Sequence, residues 1–131
     1  MSLVFVGEFH DHVPASVIKM ASDGCEAAAN VLPFPILLDG MVSWSHLVMT
    51  AIESPELIEF QASLLKSIRN QGLRCDGNPK FSPHLTLIRD SRKIPPQQIE
   101  PITWTASEIV LIDSTEGKHI HLGRWPLSGA P

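Results

Sequence analysis

Apolar and polar positions recur along this chain with two different periods, and the switches between them lay out the elements. Residues 3–9 (LVFVGEF) are apolar and β-branched and run into polar residues, a pattern that predicts a buried strand. Over residues 13–29 the period lengthens: Val17, Ile18, Ala21, Cys25, Ala28 and Ala29 fall at helical spacing. Pro14 suits the first turn of this helix and Asp11 or His12 its cap, while Gly24 weakens it without forbidding it. Residues 34–42 and 47–52 are two apolar runs joined by the polar turn 43–46, and predict an antiparallel pair. Ser54, Pro55 and Glu56 form a helix-start signal, followed by an apolar stripe of Leu57, Ile58, Gln61, Leu64, Leu65 and Ile68 and a stop at Gly72. Residues 81–89 predict a strand entered through Pro83, and 94–101 a Pro-rich loop. Residues 102–113 predict one long strand or two halves with a bend, and 119–126 a last short strand. Two helices among several antiparallel strands make the class α+β, in one domain spanning residues 1–131 without a linker. Residues 2–5 and 85–88 also echo one another, each followed by polar residues and then prolines, which two similar lobes around a cleft would explain.

Composition narrows the function classes. With 44% hydrophobic and 18% charged residues in 131, the chain is globular and long enough to bury a core. No apolar run approaches the roughly 18 residues of a membrane helix, and the N-terminus lacks the basic and small-residue features of a signal peptide. The expectation is a cytoplasmic protein. Cys25 and Cys75 stand fifty residues apart with no metal-ligand spacing around them, so they read as reduced thiols within the packing. A net charge of −4 argues against coating nucleic acid through bulk electrostatics, and leaves room for a local grip on one phosphate at a strand end.

The segment Pro83-His84-Leu85-Thr86-Leu87 carries the chemistry. Strand alternation places His84 and Thr86 on one face, about 7 Å apart, with Leu85 and Leu87 on the other. An imidazole able to move a proton beside a hydroxyl able to hold a non-bridging oxygen suits a phosphate ester. Arg89, Arg92 and Lys93 follow and would supply the anion field. The same pair also fits an ordinary sheet histidine with a threonine neighbour, and the residues by themselves leave both readings open.

The run FSPHLTLIRD resembles the second His-x-Thr signature of the two-histidine phosphoesterases, in their 2'-5' RNA ligase (LigT-like) branch. SLVFVGEF is similar to the end of that family's first motif strand, 34–40 to the segment between its lobes, 47–53 to the strand after it, and LGRWPL to its closing strand. The resemblance implies a bilobal α+β fold, two antiparallel sheets flanking a cleft with helices outside. It also implies RNA 2',3'-cyclic phosphodiesterase or 2'-5' RNA ligase chemistry on RNA ends or nucleotides, with no metal or other cofactor. His84 would be one proton-transfer residue, and Thr86 would hold the phosphate together with Ser2 and Arg89.

Against the family pattern Ser2 occupies the threonine position of the first motif, and the histidine of that motif would stand ahead of Met1. The expectation is therefore a chain incomplete at its N-terminus. The alternatives are a relative that binds an RNA end or nucleotide without turnover, and a stand-in by another histidine. His10 and His12 bracket Asp11, a set that fits a solvated turn or, less directly, a metal. His119 and His121 share a face of the closing strand and would lie at the surface or reach the cleft. His46 falls in a turn and receives no role. Trp44, Trp104 and Trp125 read as packing residues, with base stacking raised for Trp44 alone, and Arg124 pairs a phosphate or an acidic neighbour equally well. A sheet edge left open at the N-terminus would favour homo-oligomers by strand pairing.

Overall fold

The computed structural model describes residues 3–9, 11–43, 47–50, 55–75, 84–88, 97–115 and 117–129. Eight elements follow one another: α1 (Ala15–Ala28), β1 (Phe34–Ser43), β2 (Leu47–Thr50), α2 (Pro55–Asn70), β3 (His84–Ile88), β4 (Gln97–Ala106), β5 (Glu108–Thr115) and β6 (Lys118–Pro126). The strands form one four-stranded sheet in the order β3-β2-β1-β4 and one two-stranded sheet, β5-β6, with every pairing antiparallel. The α+β class is as expected.

The two helices pack on each other and form one layer on which both sheets rest, β1 against α2 and the β5–β6 hairpin against α1. The stripe of α2 buries Leu57, Phe60, Gln61, Leu64 and Ile68. Phe60 joins it at the i+3 position from Leu57, whereas Ile58, expected inside, is 44% exposed on the flank. The Phe60 ring meets that of Phe34 with centroids 5.5 Å apart and planes tilted by 53°, an edge-biased aromatic pair joining helix to sheet. Ile36 and the fully buried Leu38 continue the inner face of β1 at strand spacing. On α1, Ala21, Gly24, Cys25 and Ala28 are buried. Pro14 occupies the cap position of α1 and makes no side-chain cap bond, so neither Asp11 nor His12 caps the helix. Gly72 closes α2 at φ 103°, a left-handed conformation suited to glycine.

Two expectations change. Residues 3–9 are not in a strand: no ladder partner stands beside them among the described residues, and an apolar run becomes a strand only when its backbone is paired. Leu3 and Val4 instead lean on the core, the Leu3 carbonyl accepts a bond from Gln61 Nε2 at 3.4 Å, and Phe5 is 66% exposed. The Pro-rich loop shortens, because residues 97–101 belong to β4. Pro101 is tolerated there because β4 is a sheet-edge strand whose register jumps, from Leu38 opposite Ile102 to Gly40 opposite Gln98. Of the two readings of residues 102–113, the structure takes the two halves, divided at Ser107 into β4 and β5, which enter different sheets. Cys25 and Cys75 are free and buried, as expected of packing thiols, and burial pushes the Cys25 thiol up to about 11.

Candidate functional site

The His-x-Thr pair lies on β3, at one edge of the four-stranded sheet. Antiparallel register sets His84 opposite Thr50, Leu85 opposite Met49 and Thr86 opposite Val48. Positions 84 and 86 alternate onto one face, as the spacing requires. Ser2, Arg89, Arg92 and Lys93 lie outside the described residues, as do His10, His46 and Trp44. His12 and Asp11 are exposed, and Asp11 adopts φ 63°. Among the described residues no three His, Cys, Asp or Glu side chains gather as metal ligands do.

A second polar group stands on the β5–β6 hairpin, where the sequence marked His119, His121 and Arg124. The hairpin turns Ile109, Leu127 and, half-buried, Leu111 and Trp125 toward the helices. Its other face is open. There Arg124 Nη1 donates to Glu108 Oε1 at 2.5 Å, and Arg124 Nη2 approaches His121 Nδ1 at 2.6 Å. Ser114 Oγ and His119 Nδ1 lie 3.2 Å apart on the same face. A guanidinium only donates, so His121 Nδ1 accepts and the ring proton sits on Nε2.

Simple alternation puts residues 121 and 124 on opposite faces. The structure joins them through a bulge: Leu111 opposes Gly123 and Ile112 opposes His121, which leaves Leu122 as the extra residue. Of the two partners proposed for Arg124, the acidic neighbour is present, in Glu108. Glu108 and Ser114 carried no sequence signal, since their roles arise only once the strands pair.

Trp104 stands at the sheet edge, 37% exposed, opposite Ile36. Trp125 lies over Gly123 and borders an open cavity of about 410 Å³ lined also by Glu26, Asn30, Pro126 and Ser128. No helix is long and apolar enough to cross a membrane among the described residues.

Comparison with known proteins covers the whole arrangement. The family model described as the 2'-5' RNA ligase superfamily matches residues 3–118. The TT0787 structure from Thermus thermophilus superposes with a TM-score of 0.74 at 18% identity, over 98% of this chain and 76% of that one. E. coli LigT complexed with 3'-AMP gives 0.69 at 24% identity, over 96% and 75% of the two chains. The apo form of E. coli LigT gives 0.63 at 26%, over 95% and 73%. E. coli LigT has also been solved with NADP+ and with ATP. No curated protein sequence matches the chain significantly. Two helices carrying antiparallel sheets, a His-x-Thr strand at one sheet edge, and a family match across most of the length lead to one conclusion: this chain belongs to the 2'-5' RNA ligase superfamily and has the LigT-like fold.

Proposed function

We propose that the protein is a single-domain RNA 2',3'-cyclic phosphodiesterase of the 2'-5' RNA ligase type, working in the cytoplasm where such RNA ends occur. The observation that carries this reading is the family match over residues 3–118, which includes β3 with His84 and Thr86.

The chemistry needs two proton transfers. A base takes a proton from water as its oxygen bonds to phosphorus. The bond from phosphorus to the ribose 3' oxygen breaks, and an acid protonates that oxygen, leaving a 2'-phosphate. His84 serves one of these steps, and Thr86 donates its hydroxyl to a non-bridging oxygen as charge grows there. Ser2 and Arg89 are proposed as further phosphate contacts. Both transfers proceed through imidazole at a pH near its ordinary titration range, so no cofactor is invoked.

The test is cleavage of a short RNA ending in a 2',3'-cyclic phosphate, beside His84→Ala. The reading expects turnover that falls about 10²–10⁴-fold in the variant. Equal turnover in both proteins would refute it.

A second reading, binding of an RNA end or nucleotide without turnover, is favoured by one observation: the sequence holds a single His-x-Thr. The nucleotide complexes of E. coli LigT support a nucleotide site of this kind. It expects no cleavage by the intact chain, with RNA-end binding that His84→Ala weakens. Both readings allow self-association through the sheet edges at β3 and β4, which would appear as a mass rising with concentration.

A further inference from the structure

We propose that the open face of the β5–β6 hairpin is a phosphate-binding surface for a ribonucleotide, with Arg124 as its anchor. This rests on the reading that the protein handles RNA ends, and it names where a phosphate beyond His84 is held.

Position comes first. The hairpin packs one face on α1, while Glu108, Ile112, Ser114, His119, His121 and Arg124 lie exposed on the other. Ile109 of β5 and Phe34, Ile36 and Leu38 of β1 belong to one hydrophobic core, so both sheets pack on the same interior.

The donor geometry comes second. Arg124 carries five N–H donors, and its contacts with Glu108 and His121 engage only Nη1 and Nη2, one partner each. Those two contacts leave the Nε–H and one N–H on each Nη for the oxygens of a phosphate. Ile112, opposite His121 and 42% exposed, offers an apolar floor for the attached ribose. The Ser114–His119 pair continues the row of donors toward the turn.

The third observation is the bulge at Leu122. A regular ladder would send Arg124 and His121 to opposite faces, and the extra residue puts them together. Bulges re-aim side chains in this way beside functional sites.

The test is titration of adenosine 3'-monophosphate into the full chain at low salt, followed by calorimetry, for the wild type, Arg124→Gln, Glu108→Gln and His84→Ala. Arg124→Gln is expected to weaken binding about tenfold, the worth of a charge-assisted bond. Glu108→Gln is expected to tighten it, because a carboxylate competing for Arg124 is removed. This opposite sign keeps the proposal testable if the Arg124 variant folds poorly. Affinity unchanged by both substitutions means a surface ion pair only, and overturns the proposal. Loss of binding in His84→Ala together with that result leaves the RNA-end reading standing and removes this surface from it. Weakening by Arg124→Gln with none by His84→Ala confirms the surface and refutes the role of β3.

Discussion

The Cβ that Gly24 lacks would stand 2.8 Å from the Cα of Ile68, so α1 and α2 cross with the backbone of one against the other. Helix propensity alone favours Gly24→Ala by about 1 kcal/mol. The contact reverses the sign, because the obstacle is helix backbone and cannot rotate away. Gly24→Ala is expected to destabilise the protein by about 1–3 kcal/mol, the usual range for overpacking, as measured by urea unfolding. A stabilised variant would mean that the helices slide apart without cost.

Thr86 separates a chemical role from a structural one. If its hydroxyl holds a phosphate oxygen, Thr86→Ser keeps the donor and Thr86→Ala removes it. Turnover or binding of the cyclic-phosphate RNA should fall about 10–100-fold in Thr86→Ala and change little in Thr86→Ser. Equal losses in both variants would assign the residue to packing in β3.

Cys25 is 3% exposed, and burial holds its thiol at about 11, against 9.0 for the free group. Being neutral when protonated, it favours the folded state fully below about pH 9. That contribution is lost as pH rises from 9 through 11, where folding must retain a proton that the unfolded chain releases. The native protein should therefore react negligibly with a thiol reagent at pH 8 and rapidly once unfolded. Cys25→Ala should show a shallower loss of stability between pH 9 and 11 than the wild type.

Much of this architecture was legible in the sequence because it is local. Pro55 and Glu56 mark the start of α2, its stripe follows from periodicity, and the β1–β2 pair needs only two apolar runs and a turn. What escaped depends on partners distant in the chain. The run 3–9 has strand composition and no ladder among the described residues, the two halves of 102–113 enter different sheets, and Pro101 sits in a strand only because an edge and a bulge accommodate it. Gly24 reads as a helix weakness until Ile68 is placed against it. At the candidate site, His84 and Thr86 were legible because two residues on one strand need no tertiary information. The meeting of Glu108 with Arg124, sixteen residues apart, was not, and the bulge that adds His121 leaves no mark in the residue pattern.

The Glu108–Arg124 pair supplies the last prediction, because its strength as a contact and its worth to stability differ. Both side chains are open to water, at 39% and 52% exposure, so solvent screens their attraction and ordering two long side chains offsets much of the rest. Glu108→Gln should shift the unfolding free energy by less than about 1 kcal/mol. Leu38→Ala, at a fully buried position in β1, should cost about 2–5 kcal/mol through lost burial and the cavity left behind. The two variants measured side by side in urea separate the scaffold from the surface. A large loss in Glu108→Gln would make the ion pair a structural clamp on the β5–β6 hairpin, with Arg124 committed to the fold. A small one leaves its guanidinium free to exchange a carboxylate for a phosphate.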